Sequence, residues 1–448
     1  MVGSPSRLWI KDPLAIVASG AARGVVVEGS RIVEVVGAGA EPLSPVDRVF
    51  DAGRHVVLPG LVNTHHHFFQ TLTRSHPAAI NKPLFPWLQA LYPIWARLTP
   101  EDFASAVRIA LIELLLSGCT TAADHHYLFP VGLEKAVDIE VEAARELGIR
   151  VTVTRGSMNL SQKDGGLPPD SVVQDEDAIL ADSERVLGLF HDRAPGSMVQ
   201  IGLAPCSPFS VTRSLMARTA DLARRFDCPL HTHLCETADE EAFCLATYGC
   251  RPVDLLEEVG WLERRTWLAH GIHFDDAEVA RLGRHGVGVC HCAASNMVLA
   301  SGLCRTVELE GAGASVGLGV DGSASNDASN MMEALRHALM AGRLRYGAGA
   351  VTHLDVIRWA TEGSARCLGR DDIGRIAPGL EADLALFTLD DSRFAGAHDR
   401  VAALVLCGAH RADRVMVAGL WRVVDGQPVG VDLPALIARQ REAALRFG

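Results

Sequence analysis

Two histidines two residues apart, His65 and His67 in the run Thr64-His65-His66-His67, are the first candidates for chemistry in this chain. In extended backbone, residues i and i+2 point the same way, so both imidazoles can serve one cation. A second pair with that spacing, His231 and His233, is followed three residues later by Glu236. His270 and Asp321 each stand at the end of a short apolar run. Imidazole nitrogens with one carboxylate suit zinc or a similar divalent ion and leave a coordination position for water. Taken singly, a strand-end histidine is more often a hydrogen-bonded structural residue, and Asp321 could simply cap a helix. What favours a metal centre is that four separate runs deliver such groups at equivalent positions.

Those groups need a scaffold that brings distant strand ends together. Eight apolar runs, at residues 57–62, 120–123, 151–154, 199–204, 229–234, 266–269, 286–290 and 315–320, alternate with stretches of helical spacing such as 103–116, 133–147, 215–226 and 276–285. Strand–helix alternation repeated eight times predicts a (β/α)8 barrel, which sets the C-terminal ends of all its strands on one rim. The flanks read as β structure. Residues 25–28 and 31–35 around Gly29-Ser30 predict a hairpin, and residues 382–388 and 414–424 predict further strands. We expect 57–373 to form the barrel, and 1–56 with 374–448 to form a composite β-sandwich beside it. Pro59-Gly60 and Pro378-Gly379 mark the crossings.

Composition limits the partners. A net charge of −12 offers no basic surplus for phosphates, so nucleic acid is not expected. The Pro-Cys-x-x-Cys signature of nucleic-acid-editing zinc deaminases is absent as well. Eleven cysteines without a CxxC pair read as buried thiols of a reducing compartment. Residues 1–13 show no leader pattern and no apolar run approaches a membrane span, so a cytoplasmic protein without membrane contact is expected. Cys290 and Cys292 flank His291, but a strand would turn both sulfurs away from that histidine. The oligomeric state stays open, the sandwich offering surface for a homo-oligomer.

Pro59-Gly-Leu-Val-Asn-Thr-His65-His-His67, His233-Leu-Cys-Glu236, His270, Asp321 and Gly374-Arg-Ile-Ala-Pro-Gly-Leu-Glu-Ala-Asp383 together resemble the amidohydrolase superfamily along essentially the whole chain. The resemblance implies that His65, His67, His233 and Asp321 hold the metal, most simply one zinc, with iron as the alternative. It further implies that Glu236 shuttles protons, His270 polarises the attacking water and His231 supports the site from behind. Members with two metals bridge them through a lysine or carboxylate on strand four, and Val199-Gln-Ile-Gly-Leu-Ala-Pro205 has neither. That departure and the His-x-x-Glu spacing resemble the aminohydrolase branch, which implies catalysis by Glu236, His270 and Asp321 in hydrolytic deamination of a small ring.

The ring itself rests on loops. Gln70, with Trp87 and other aromatics in the segment that follows, suits a flat heterocycle that stacks while its edge takes hydrogen bonds. Similarity of these loops to those of oxidised-purine and triazine aminohydrolases implies loss of the 2-amino group of 8-oxoguanine. Guanine, pterin, cytosine-like and triazine rings are alternatives, and cyclic-amide hydrolysis is a more distant one. Gln70 is expected to read the ring edge and Trp87 to wall the pocket. Cys206, with Ser207, and His291 are further candidates for substrate contact. Arg155 could meet a substrate carbonyl or cap a helix. Only one of the adjacent His125 and His126 can face inward, and the sequence leaves open which.

Overall fold

A computed structural model describes residues 6–448. Residues 1–5, where the flanking unit and the segment without a leader pattern begin, lie outside the described residues. Eight parallel strands make one sheet in sequential order: β1 (Leu61–Asn63), β2 (Cys119–His126), β3 (Arg150–Ser157), β4 (Val199–Pro205), β5 (Leu230–Leu234), β6 (Thr266–His270), β7 (Gly288–His291) and β8 (Ser315–Leu318). The sheet closes on itself just beyond β8 and β1. Thr64 N donates to Leu318 O at 3.0 Å, Asn63 Oδ1 accepts from Val320 N at 3.0 Å, and Asp321 N donates to His65 O at 3.0 Å. The expected (β/α)8 barrel is therefore present, and these closing bonds set His65 and Asp321 side by side.

Local signals in the sequence explain the helices between strands. Thr99 caps Pro100–Leu116 by accepting from Asp102 N at 3.2 Å. Asp275 and Glu278 form a reciprocal capping box at the start of Asp276–His285, which ends on Gly286 in the left-handed region.

One expected strand divides in two. Residues 57–62 read as a single apolar run, yet His55–Pro59 pairs antiparallel with Leu384–Thr388 in a flanking sheet, and only Leu61–Asn63 enters the barrel. Gly60 carries the crossing, its N–H donating to Asp383 O at 2.8 Å. Both halves are buried, so hydropathy has no contrast by which to separate them.

The flank is two sheets face to face. One holds Arg7–Lys11, Gly24–Glu28, Arg31–Val35 and Arg48–Asp51, including the expected hairpin. The other joins Ala15–Ile16 and His55–Pro59 to Leu384–Thr388, Arg414–Val417, Leu420–Val424 and Gln427–Pro428. Ile10, Val25 and Ile32 of the first pack on Val57, Leu386 and Met416 of the second, so residues from both termini share one core. Helix Leu433–Ala444 leaves this sandwich and packs on Pro100–Leu116 of the barrel. There Gln440 Nε2 donates to Thr71 Oγ1 at 3.1 Å, in the turn that follows His67.

Arg150, at the start of β3, ties the two units together. Its side chain is wholly buried and donates to both carboxylate oxygens of Asp383, at 3.2 and 3.3 Å, and to the carbonyls of Gly196 and Ser197 at 2.7 Å each. Removing one member of a buried ion pair strands the other, at a cost of about 3–5 kcal/mol. Arg150→Met should lower stability by that amount in urea unfolding, and a loss below about 1 kcal/mol would contradict this role for the pair.

Candidate active site and metal centre

The mouth of the barrel gathers residues that are far apart in the chain. His67 Nε2 and His233 Nε2 are 3.1 Å apart, and Asp321 Oδ1 lies 3.3 Å from His65 Nε2 and 3.4 Å from His67 Nε2. All four side chains are buried. The backbone strains to place them, because His270, Asp321 and Cys235 have φ of +75°, +63° and +53°, values that non-glycine residues rarely adopt. Gly319 is required by the same crowding. A Cβ there would stand 2.6 Å from Cys290 Sγ and 2.8 Å from His65 Cβ.

The protons on these rings follow from their hydrogen bonds. His67 Nδ1–H donates to His125 O and His233 Nδ1–H to Cys206 O, each at 2.7 Å. His231 Nδ1–H donates to Trp267 O at 2.8 Å, so its Nε2 accepts from His65 Nδ1–H at 2.7 Å. Burial holds the rings neutral, pulling His67 down to about 3 and lowering His65 and His233. Each neutral ring has then spent its single proton, and Nε2 of His65, His67 and His233 is a bare lone pair. Two bare lone pairs cannot hydrogen-bond each other across 3.1 Å, and His65 Nε2 makes no hydrogen bond among the described residues. Three such nitrogens beside the Asp321 carboxylate form a donor set that fits one divalent cation. β4 contributes no lysine or carboxylate, so nothing at that strand end supplies a bridge to a second ion.

Glu236 and His270 face this cluster. His270 Nε2 lies 3.5 Å from Glu236 Oε2 and 3.9 Å from Asp321 Oδ2. Its Nδ1–H donates to Asn296 Oδ1 at 3.0 Å, which turns Nε2 toward both carboxylates. Burial works against charge on that ring, but Glu236 and Asp321 outweigh it and raise its basicity. Burial pushes the Glu236 carboxyl up to about 7, with His270 opposing and Asp321 adding to the rise. Glu240 pins the supporting loop by accepting from Cys235 N at 2.7 Å and from Glu236 N at 3.3 Å.

A pocket opens over these groups. Of the residues read from the sequence, His67, His233, Glu236, His270, Asp321, Gln70, Trp87 and Cys206 line it, joined by Tyr92, Tyr127, Phe209, Leu299 and Ser325. Gln70 Oε1 accepts from Ala324 N at 3.2 Å, and Trp87 Nε1 donates to Ala324 O at 3.2 Å. Gly322 makes room for that amide, since a Cβ there would fall 1.9 Å from Gln70 Oε1. His291 is buried but stands outside the lining, with Nδ1 unpartnered among the described residues. Arg155 is likewise outside it, bonded to Asp182 at 2.9 Å and lying over the Phe129 ring. Cys290 and Cys292 sit together in an apolar cluster with Val62 and Trp267, their sulfurs 3.6 Å apart. Of the adjacent pair, His125 faces inward. It stacks on His233 at 4.6 Å and donates through Nε2 to Ala204 O at 3.0 Å. His126 faces outward among Phe69, Phe103 and Phe129.

Among the residues that the sequence does not single out, Tyr127 and Phe209 lie in loops just past strand ends and Asn296 in the short helix Ala293–Val298 after β7, and no spacing rule distinguishes them from neighbouring polar or aromatic residues. Their proximity to β7, β2 and β4 was the one available signal.

The closed parallel barrel and this histidine–aspartate mouth define a metal-dependent hydrolase, and the chain belongs to the Amidohydrolase family, which matches residues 56–421. It is 63% identical to the 8-oxoguanine deaminase of Pseudomonas aeruginosa over 98% of both chains. It is 36% identical to an isoxanthopterin deaminase of an unknown prokaryotic organism over 96% of this chain and 95% of that one. Among solved structures, atrazine chlorohydrolase of Arthrobacter aurescens in complex with zinc superposes with a TM-score of 0.92. That likeness covers 98% of this chain and 100% of the other, at 31% identity.

Bare lone pairs in this number should hold an ion tightly. Elemental analysis of purified protein is expected to give close to one divalent ion per chain, and both His233→Ala and Asp321→Ala should lose most of it. Chelation should also lower the melting temperature, because an ion bound only by the folded state stabilises it. Full occupancy in both variants would overturn the assignment of these lone pairs.

Proposed function

We propose that this chain is an aminohydrolase that converts 8-oxoguanine and water to urate and ammonia with one divalent ion, zinc before iron. The single observation that carries the substrate is the 63% identity to the Pseudomonas aeruginosa 8-oxoguanine deaminase over 98% of both chains. The reaction class is supported by the lone pairs of His67 and His233, which with Asp321 line a cavity walled by Glu236, and by that of His65 beside Asp321. These four residues would hold the ion, which when bound makes water acidic enough to attack near neutral pH. Asp321, kept ionised by its histidine neighbours, accepts the proton that the attacking water gives up. His270, fixed through Asn296, holds that water by a hydrogen bond from the side of Glu236. Glu236 delivers a proton to the ring nitrogen beside the amino-bearing carbon, which makes that carbon electrophilic. A C–O bond forms, the amino nitrogen takes up the proton held by Asp321 as the C–N bond breaks and leaves as ammonia, and Glu236 regains its proton from the new hydroxyl as the ring carbonyl forms.

The remaining groups fit the same reading. Gln70 reads a ring edge, Trp87 walls the pocket, and Cys206 holds His233 through its carbonyl while its sulfur faces the ring. The catalytic machinery comes wholly from residues 57–373, with 1–56 and 374–448 as the flanking unit. No helix among the described residues is long and apolar enough to cross a membrane, and eleven free cysteines suit a reducing cytoplasm.

Ammonia release from 8-oxoguanine, measured beside guanine, isoxanthopterin and hydroxyatrazine, tests this assignment. The highest kcat/KM is expected for 8-oxoguanine, and a preference for any other ring would refute the named substrate. Glu236→Gln should lower kcat by about 10²–10⁴-fold while the metal content is unchanged. A near-normal rate in that variant would remove Glu236 from the mechanism. The pH profile has a defined sign. Glu236 must carry a proton to deliver one, and its carboxyl is pushed up to about 7, so kcat should fall as pH rises through that region. A rate that climbs steadily from pH 6 to 9 would contradict the acid role.

A further inference from the structure

Between β2 and helix Ala136–Leu147 lies a group of polar side chains that the mechanism does not use. The helix buries Ala136, Val137, Glu140, Val141 and Ala144 on one face, so a carboxyl occupies a core position. Alternation along β2 turns Asp124 and His126 to the same side, away from the inward-facing His125. Asp124, His126 and Glu140 are all buried, and an oxygen or nitrogen from each lies within 4.8 Å of the others. Asp124 Oδ1 accepts from Phe68 N at 2.7 Å. Asp124 Oδ2, both oxygens of Glu140 and both nitrogens of His126 have no partner among the described residues.

Two carboxylates cannot both stay charged in a dry core without a cation. Their oxygens only accept, so neighbouring acids satisfy each other through a proton held between them. Burial, joined by the charge of Asp124, pushes the Glu140 carboxyl well above the usual carboxyl range. Burial raises Asp124 as well, against the bonds from Glu140 and Phe68 N. Glu140 is thus the donor and Asp124 the acceptor. A metal ion held by these two acids and His126 would need a fourth ligand or water, and the phenyl rings of Phe69, Phe103 and Phe129 around His126 supply neither.

The Phe68 amide directly follows His67, and β2 grips this stretch at three successive residues. His125 N donates to His66 O at 2.8 Å, His67 Nδ1–H to His125 O at 2.7 Å, and Phe68 N to Asp124 Oδ1. The first two bonds use the backbone of β2, whereas the third depends on a side chain that must itself be held. Resting on the reading of His67 as a metal ligand, we infer that Asp124 and Glu140 share one proton and form a positioning pair that fixes His67 for the ion. Groups that orient a ligand from behind commonly carry about 10–100-fold in metal affinity.

Competition for zinc between the full chain and a fluorescent chelator tests the pair without turnover. Asp124→Asn keeps an oxygen for Phe68 N, and Glu140→Gln keeps a donor for Asp124, so both should bind zinc within about threefold of the unsubstituted protein. Asp124→Ala and Glu140→Leu each remove one side of the pair and should weaken zinc binding at least about 10-fold. Val141→Ala loosens the same helix face without touching the pair and should leave zinc affinity unchanged. An equal loss in the amide and apolar variants, or a matching loss in Val141→Ala, would overturn the inference. Should an apolar variant fail to fold, Glu140→Gln still decides, because a protonated carboxyl tolerates the amide and a metal ligand does not. Two zinc ions per chain, one of them lost in Glu140→Gln, would make the cluster a cation site and sink the shared proton. His67→Ala separates this inference from the reading beneath it. Full zinc retention there removes His67 from the ligand set and takes the inference with it, whereas zinc lost from His67→Ala but kept by Asp124→Ala and Glu140→Leu removes the pair alone.

Discussion

The chemistry of this protein depends on where five imidazole protons go. Backbone carbonyls at strand ends take the Nδ1 protons of His67, His231 and His233 and the Nε2 proton of His125, and His231 in turn takes the Nδ1 proton of His65. Were one of these carbonyls turned away, the ring above it could flip or exchange tautomers, and the convergent lone pairs would be lost. The barrel is therefore more than a frame. Its register decides which carbonyl stands under which ring, so hydrogen bonds between strands and donor atoms at the mouth are two ends of one arrangement. Burial reinforces it by denying these imidazoles a second proton.

The same economy governs the carboxylates. Glu236 and Asp321 face one imidazole, His270, yet burial pushes one up and histidine contacts pull the other down. Two acids in one cavity with opposite proton affinities can give and accept within a single turnover. The strain at His270 and Asp321, both in the left-handed region, accompanies an arrangement in which His270 stands 3.5 Å from Glu236 and 3.9 Å from Asp321.

Much of this was legible in the sequence, for a physical reason. Strands of a parallel barrel end on one rim, so residues such as His270 and Asp321 could be placed together from the ends of apolar runs alone. The i, i+2 spacing put His65 beside His67 in the same way. Where several residues could occupy a loop without any periodicity, the reading stopped. Tyr92 and Asn296 owe their positions to tertiary packing, and His291, whose strand end predicts an inward direction, is not among the lining residues. The adjacent His125 and His126 needed the register of β2 with its neighbours, which no single strand contains. Residues 57–62 hid a change of sheet because both sheets bury their strands. The shared core of the two termini could be anticipated from strand-like flanks, but not the helix Leu433–Ala444 that returns to the barrel.

The crossing at Gly60 also limits how this molecule can move. Pro59 is paired in the flanking sheet, and Thr64, bonded to Leu318 at the closing seam, is only five residues further on. A single glycine with its amide tethered to Asp383 leaves no slack for a hinge between the two units. Swinging the sandwich outward would drag His65 and His67 with it and pull them away from His233 and Asp321. Traffic of small molecules through the mouth must therefore be accommodated by side chains and by helix Leu84–Trp95, which supplies Leu84, Trp87, Leu88 and Tyr92 to the lining, and the sandwich acts as ballast for the first two histidines.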